Sequence, residues 1–331
     1  MKAAARARAN IALVKYWGKA DDGPLNIPAV GSISITLDAL WSDTEVHFDE
    51  SLAADELTLN GQRRPEQLDR VRRCLDLLRA RAGVEHAARI TSRNNFPTGA
   101  GLASSASGYA ALTAATAAAL NLKLTARELS IVARQGSGSA ARSIIGGFVE
   151  MHAGMRPDGS DSYAEALMPA EAWPLELVVA VTARDEKQVS SRAGMTRSAA
   201  TSPYFPAWVA RSPSDLKQGR EAILKRDFES LADVAERNCL CMHGAAMAAR
   251  PPLLYWNGAT IACLEAVQGL RRAGVPVFFT IDAGPQLKAV CAPGGSAAVR
   301  EALTDIPGVL DVLQSGLGPG IETDPGRWSA Q

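Results

Sequence analysis

The sequence has no excess of charge of either sign: Lys and Arg together number 35, and so do Asp and Glu. Nucleic acids and anionic membrane surfaces select a net basic footprint, so neither is expected as the main partner; a local basic cluster can still hold a small anion. No apolar run approaches the length that crosses a bilayer. The first ten residues carry Lys2, Arg6 and Arg8 and lack the apolar core of a signal peptide. The 5 cysteines, at 74, 239, 241, 263 and 291, show no metal-type pairing, and the C-x-C of Cys239 and Cys241 with His243 nearby finds no matching second half. They read as reduced thiols buried like small apolar residues, and the expected compartment is the cytoplasm. Two familiar nucleotide fingerprints are missing as well: there is no G-x-x-x-x-G-K-[ST] and no G-x-G-x-x-G.

What is present is enough apolar material, 47% of 331 residues, for two cored domains. An Ala-rich helix is expected over 103–120, ended by Asn121. Thr125 and Glu128 have the spacing of a capping box for a helix over 126–135. Strands are expected at 148–151 and 175–182, the second apolar throughout, as in a strand covered on both faces. A polar loop follows over 184–214, then a long helix over 214–241. A further helix over 257–272 has Asn257 to cap it, Gly274 to stop it, and Ile261, Leu264, Val267 and Leu270 as its apolar stripe. Strands at 275–281 and 287–292 form a hairpin, followed by a helix over 296–304 and a strand near Val309. This order suits helices packed on a largely antiparallel α+β sheet, with domains of residues 1–184 and 185–331.

Four segments carry chemistry. From Asn94 to Ser107 runs N-N-F-P-T-G-A-G-L-A-S-S-A-S. Pro97 fixes one φ, Gly99 and Gly101 permit close backbone approach, and Ser104, Ser105 and Ser107 stand where loop becomes helix. Free N–H groups and the helix dipole favour phosphate there, and serine hydroxyls add donors and a possible contact, through Ser105, to a phosphate-bound Mg²⁺. From Asn10 to Lys19 an apolar strand ends in Lys15, Tyr16, Trp17, Gly18 and Lys19, two lysines able to reach phosphate oxygens. From Gln135 to Ser143, two Gly-Ser pairs precede Arg142, whose planar fork suits carboxylate or phosphate. From Phe279 to Pro285, F-T-I-D-A-G-P delivers Asp282 from a buried strand into a tight turn. On spacing alone, an ordinary turn aspartate explains the last segment better.

These strings resemble the GHMP small-molecule kinase superfamily, and within it the diphosphomevalonate decarboxylase branch. G-S-I-S-I-T-L from Gly31 and V-S-S-R from Val189, followed by Gly194 and Met195, resemble the same branch. Departures are Gly99 for a common Ala, Val30-Gly31 before Ser32, Ala141 for a common Cys, and Gln286 for the usual Asn. The resemblance implies a two-domain GHMP kinase fold: a βαβ-type nucleotide domain, a ferredoxin-like C-terminal domain and a cleft between them. It implies ATP and Mg²⁺ as cofactors, a phosphorylated mevalonate as substrate, and a homodimer. It implies that Asp282 orients or deprotonates a tertiary hydroxyl, Lys15 stabilises the transferring phosphoryl group, and Arg142 fixes the departing carboxylate. Tyr16, Lys19, Ser139, Ser191 and Arg192 would hold the distal phosphates. Open alternatives are a mevalonate 5-phosphate decarboxylase, a mevalonate 3-kinase without decarboxylation, and a non-catalytic metabolite sensor.

Overall fold

The computed structural model describes residues 1–20, 23–96, 104–185 and 187–323. Among them no helix is long and apolar enough to cross a membrane. The chain runs β1 (Lys2–Val14), β2 (Ser32–Phe48), β3 (Glu56–Leu59), β4 (Gln62–Arg63), α1 (Leu68–Ala82), β5 (Ala88–Asn94), α2 (Ser104–Ala119), α3 (Ala126–Gly136), β6 (Phe148–Met151) and β7 (Ala164–Met168). It continues through β8 (Glu176–Val181), α4 (Ser191–Thr201), α5 (Phe205–Lys225), α6 (Phe228–Met247), α7 (Gly258–Arg272), β9 (Val277–Ile281), β10 (Leu287–Cys291), α8 (Ser296–Thr304), β11 (Asp311–Gly316) and β12 (Glu322–Thr323).

An eight-stranded sheet holds β1 to β7 together with β12. Its strands are antiparallel except that β3 and β5 run parallel, with α1 as the crossover between them, a βαβ unit. The second sheet has the order β11-β8-β10-β9, all antiparallel. Numbered along the chain, that is 4-1-3-2, the ferredoxin-like arrangement, and the fold is the expected two-domain α+β GHMP kinase fold. A division by sheets falls before β8, because β8 pairs only with strands of the second sheet.

Three of the five buried apolar clusters among the described residues hold these layers. Leu75 and Leu78 of α1, Ala111 and Ala115 of α2, and Val132 of α3 pack on the face of β1 that presents Ala3, Ala5 and Ala7. Alanine dominates both sides, so α2 can lie close to the sheet. A second core joins the two sheets: Ile11 and Leu13, Ile33 and Ile35, Leu177 and Val179, Val234 and Phe278 all belong to it. A third lies between the second sheet and α7 and α8. The central core puts the end of β1 against the end of β9. There Thr280 Oγ1 donates to Ala12 O at 3.1 Å.

Several elements differ from their sequence-based expectation. The polar stretch over 184–214 contains α4 and the first half of α5, and what reads as one helix over 214–241 is two. The break is at Arg226, with φ 55°, followed by Asp227, whose side chain accepts from Ser230 N at 3.1 Å. Along α7 the inward residues are Thr260, Cys263 and Val267, and Ile261 is exposed. Cys241 is also exposed, unlike the other four cysteines, which are buried.

Candidate active site

Lys15, the residue that follows β1, reaches into a cavity of about 550 Å³ at the junction of the two sheets. Its side chain is 1% exposed, and Nζ donates to Ala12 O at 2.9 Å and to Asp282 Oδ1 at 2.7 Å. Its backbone N–H donates to Asn238 Oδ1 at 2.7 Å, and Asn238 Nδ2 donates to the buried Asp215. Asp282 ends β9. Its other carboxylate oxygen lies 3.4 Å from Lys288 Nζ, on β10. The hairpin register, Leu287 opposite Ile281, brings Lys288 there. Burial pushes the Asp282 carboxyl up, but the ammoniums of Lys15 and Lys288 outweigh it and hold the group well below the usual carboxylate range. The Asp282 side chain remains 25% exposed, enough to meet a ligand. The carbonyl of Ile281, just before it, accepts from Cys239 Sγ at 3.4 Å and sits 3.1 Å from His243 Nε2. Burial takes His243 down to about 3, so the ring is neutral.

Arg142 closes another wall from the 3₁₀ turn Gly138–Ile144. It is buried, donating from Nη1 to Ser32 Oγ at 2.6 Å and from Nε to Asn10 Oδ1 at 3.2 Å. Burial lowers it to about 10, still charged at neutral pH. Asn10 Nδ2 donates in turn to Ser139 O and Ser143 Oγ, so Arg142 and Ser139 are set by one side chain. The Tyr16 hydroxyl is buried without a hydrogen-bond partner among the described residues, and its ring lies against Gly138, where a Cβ would collide with it.

All eight residues expected to meet substrate line this cavity: Lys15, Tyr16, Lys19, Ser139, Arg142, Ser191, Arg192 and Asp282. Ser104 and Ser105, at the start of α2, line it too. Ser107 does not: it is fully buried one turn into α2, with its hydroxyl 2.7 Å from that of Ser42 on β2. A serine three residues into the helix turns toward the sheet, and Ser107 meets Ser42 there. Pro97, Gly99 and Gly101 lie outside the described residues.

Four lining residues escape the sequence reading. Lys187 Nζ donates to Ser191 Oγ at 2.7 Å and to Ala283 O at 2.8 Å; burial lowers it to about 8. Asn26 joins Lys19 and Arg192. Arg70 and Arg73 project from α1, and their charges help to lower Arg192, after burial. Gln286, which replaces an expected Asn, is buried and clamps the end of β8, accepting from Thr182 N and donating to Ala183 O, both at 2.6 Å.

A second cavity of about 520 Å³ adjoins the first and shares Ser104, Ser105, Arg70 and Lys187 with it. Its walls are largely apolar: Leu57 and Leu59 of β3, Val71 of α1, Ile90 of β5, and Tyr109 and Leu112 of α2. The Arg70 guanidinium lies 4.7 Å from the centre of the Tyr109 ring, and its Nε donates to Gly136 O at 2.8 Å. The whole is a cleft with one apolar and one cationic lobe, the serines of α2 standing between them.

Residues 7–164 match the family described as diphosphomevalonate decarboxylase-like N-terminal domain, and residues 177–297 the mevalonate 5-diphosphate decarboxylase C-terminal domain. A Candida albicans diphosphomevalonate decarboxylase is 36% identical over 96% of each chain. The solved structure of mevalonate diphosphate decarboxylase from Staphylococcus aureus superposes with a TM-score of 0.91 at 38% identity, covering 98% of each chain. Another, of MDDEF in complex with MVAPP, AMPPCP and magnesium, gives a TM-score of 0.90 at 40% identity, covering 98% of this chain and 99% of that one. With both halves matched and the cleft carrying the motifs on which the resemblance rests, the chain belongs to the diphosphomevalonate decarboxylase family.

Proposed function

We propose that this cleft performs the ATP-dependent decarboxylation of mevalonate 5-diphosphate, giving isopentenyl diphosphate, ADP, phosphate and CO₂. The observation that carries the residue assignments is the Lys15–Asp282 contact in a cavity whose lining includes Lys19, Arg70, Arg73, Arg142, Lys187, Arg192 and several serine hydroxyls. The apolar lobe suits a nucleotide base, and α2's first turn, between the lobes, suits the phosphates. Among the described residues no group of three His, Cys, Asp or Glu could hold a metal alone. The hydroxyls of Ser104, Ser105, Ser137 and Ser139 fit a hard cation that arrives with phosphate oxygens. When bound, Mg²⁺ neutralises charge on the transferring phosphoryl group.

Each residue then has a task suited to its surroundings. Asp282, held ionised between two ammoniums, accepts a hydrogen bond from the tertiary hydroxyl and aims its oxygen; so weak a base takes the proton only as the new O–P bond forms. Lys15 stabilises charge on that oxygen. Phosphorylation turns the hydroxyl into a leaving group. Its departure leaves an electron-poor tertiary carbon, and the adjacent carboxylate supplies the electron pair as CO₂ is lost. Arg142 is dry, rigid and charged, as needed to fix that carboxylate. Lys19, Arg192, Tyr16, Ser139 and Ser191 hold the diphosphate, and Lys187 reaches the nucleotide phosphates. A cytoplasmic homodimer completes the proposal; light scattering measures the dimer and cell fractionation the location.

The test is one assay comparing mevalonate, its 5-phosphate and its 5-diphosphate, with ADP and CO₂ followed separately. Equal ADP and CO₂ from the 5-diphosphate, far exceeding the other two substrates, is expected. ADP without CO₂ would replace the reading with a kinase, and preference for the 5-phosphate would replace the substrate.

A further inference from the structure

Resting on the substrate assignment above, we infer that Asn26 is a positioning residue whose amide oxygen holds Lys19 and Arg192 together as a preformed two-cation grip for the substrate's terminal phosphate. Asn26 is 1% exposed and has φ 52°, the left-handed region that asparagine tolerates better than most residues. Its Oδ1 accepts from Lys19 Nζ at 2.7 Å and from Arg192 Nη2 at 2.8 Å. Its Nδ2 donates to Arg134 O at 3.2 Å and to Gln135 O at 2.7 Å. An asparagine amide offers two donor hydrogens and two acceptor lone pairs, and all four are used. The orientation is therefore unambiguous: a flipped amide would set its N–H groups against two cations and its oxygen against two carbonyls.

The anchor beneath it is rigid. Arg134, fully buried on α3, donates from Nε to Leu25 O at 3.0 Å, fixing the residue before Asn26, and binds the carbonyls of Gly159 and Ser162. The grip is thus tied through Asn26 to the end of α3, next to the turn that carries Ser139 and Arg142.

A neutral acceptor has a particular consequence. Both cationic nitrogens are bonded to one oxygen, so they lie no farther apart than those two bonds laid end to end, a spacing that oxygens of one phosphate or of neighbouring phosphates can bridge. The amide draws the cations together without cancelling their charge. A carboxylate would neutralise one of them and compete with the ligand.

Two variants separate this role from simple loop support. Asn26→Gly keeps the left-handed backbone and removes the amide; Asn26→Asp keeps the shape and adds the charge. Hydrogen bonds to charged groups imply that either raises KM for mevalonate 5-diphosphate about tenfold or more, with kcat changed less and KM for ATP unchanged. Calorimetric titration with inorganic pyrophosphate should show the same loss, larger for the aspartate at low salt. Loop support alone would shift kcat and both KM values together. Pyrophosphate bound equally by wild type and both variants, or not bound by wild type, overturns the grip. The titration needs no turnover, so failure of wild type on mevalonate 5-diphosphate would refute the reaction and leave the Asn26 comparison decisive.

Discussion

Asp282 lies between two ammoniums that solvent barely reaches: the side chains of Lys15 and Lys288 are 1% and 0% exposed. Asp282→Asn removes the anion both lysines depend on, so two losses are expected together. Turnover should fall by about 10²–10⁴-fold, the range for a positioned proton acceptor. Stability should fall by about 3 kcal/mol, as when one partner of a buried pair is deleted. kcat should fall far more than KM for ATP rises, because the α2 serines are untouched and only Lys187, which Asp282 helps to keep charged, is affected; near-normal kcat in the folded variant would return Asp282 to the role of an ordinary turn residue. Lys187 yields a pH prediction. Burial lowers it to about 8, with Asp282 pulling the other way. The amine is charged below that value and neutral above it. kcat/KM for ATP should therefore be level below about pH 8 and fall as pH rises through it, and Lys187→Arg, always charged, should lose that limb. A profile unchanged by Lys187→Arg would show that the lysine does not meet the nucleotide. The eight substrate-lobe residues were legible because each sits in a contiguous string. Lys288, Asn26 and Lys187 were not, because no string joins them to their partners. Lys288 reaches Asp282 only through the β9–β10 register, and Asn26 meets Arg192 across 166 positions of chain.

Among the elements, local signals worked where a side chain acts on its own backbone. Thr125 accepts from Glu128 N at 3.3 Å while the Glu128 carboxylate accepts from Thr125 N at 2.9 Å, the capping box its spacing announces. Thr125→Ala should cost about 1 kcal/mol, measured by denaturant unfolding, with Thr125→Ser nearly neutral. A loss shared equally by the serine variant would point to the threonine methyl instead. Signals failed where tertiary packing decides. The buried residues of α5 are Trp208, Ser212, Asp215, Gly219, Ala222 and Ile223, a good helical period written partly in polar letters and interrupted by Pro213. Ser212 donates to Trp208 O, and Asp215 receives Asn238 and two arginines, so these polar groups are satisfied inside the fold. Hydrophobic patterning alone cannot see such a helix. On α2 three serines look equivalent in sequence, and helix geometry sends Ser107 to the sheet.

At the scale of the whole molecule, β-strand order was beyond the sequence, since neither sheet pairs strands simply in chain order. The two sheets share one core, and residues from both meet at Lys15 and Asp282, so the cleft's geometry depends on both folding units at once. The last described strand makes that dependence stricter. β12 pairs with β1, Gly318 N donates to Thr36 O at 2.8 Å, and Gly146 packs so tightly on Pro319 and Gly320 that a Cβ would strike their backbone. A chain shortened to residue 316 should therefore lose stability in the eight-stranded sheet, not in β11, a difference that hydrogen exchange resolves strand by strand. During synthesis from the N-terminus the same pairing sets an order of events. The ribosome must release residue 323 before the strand begun at residue 2 finds its outer neighbour, so the first sheet to be made is the last to be closed.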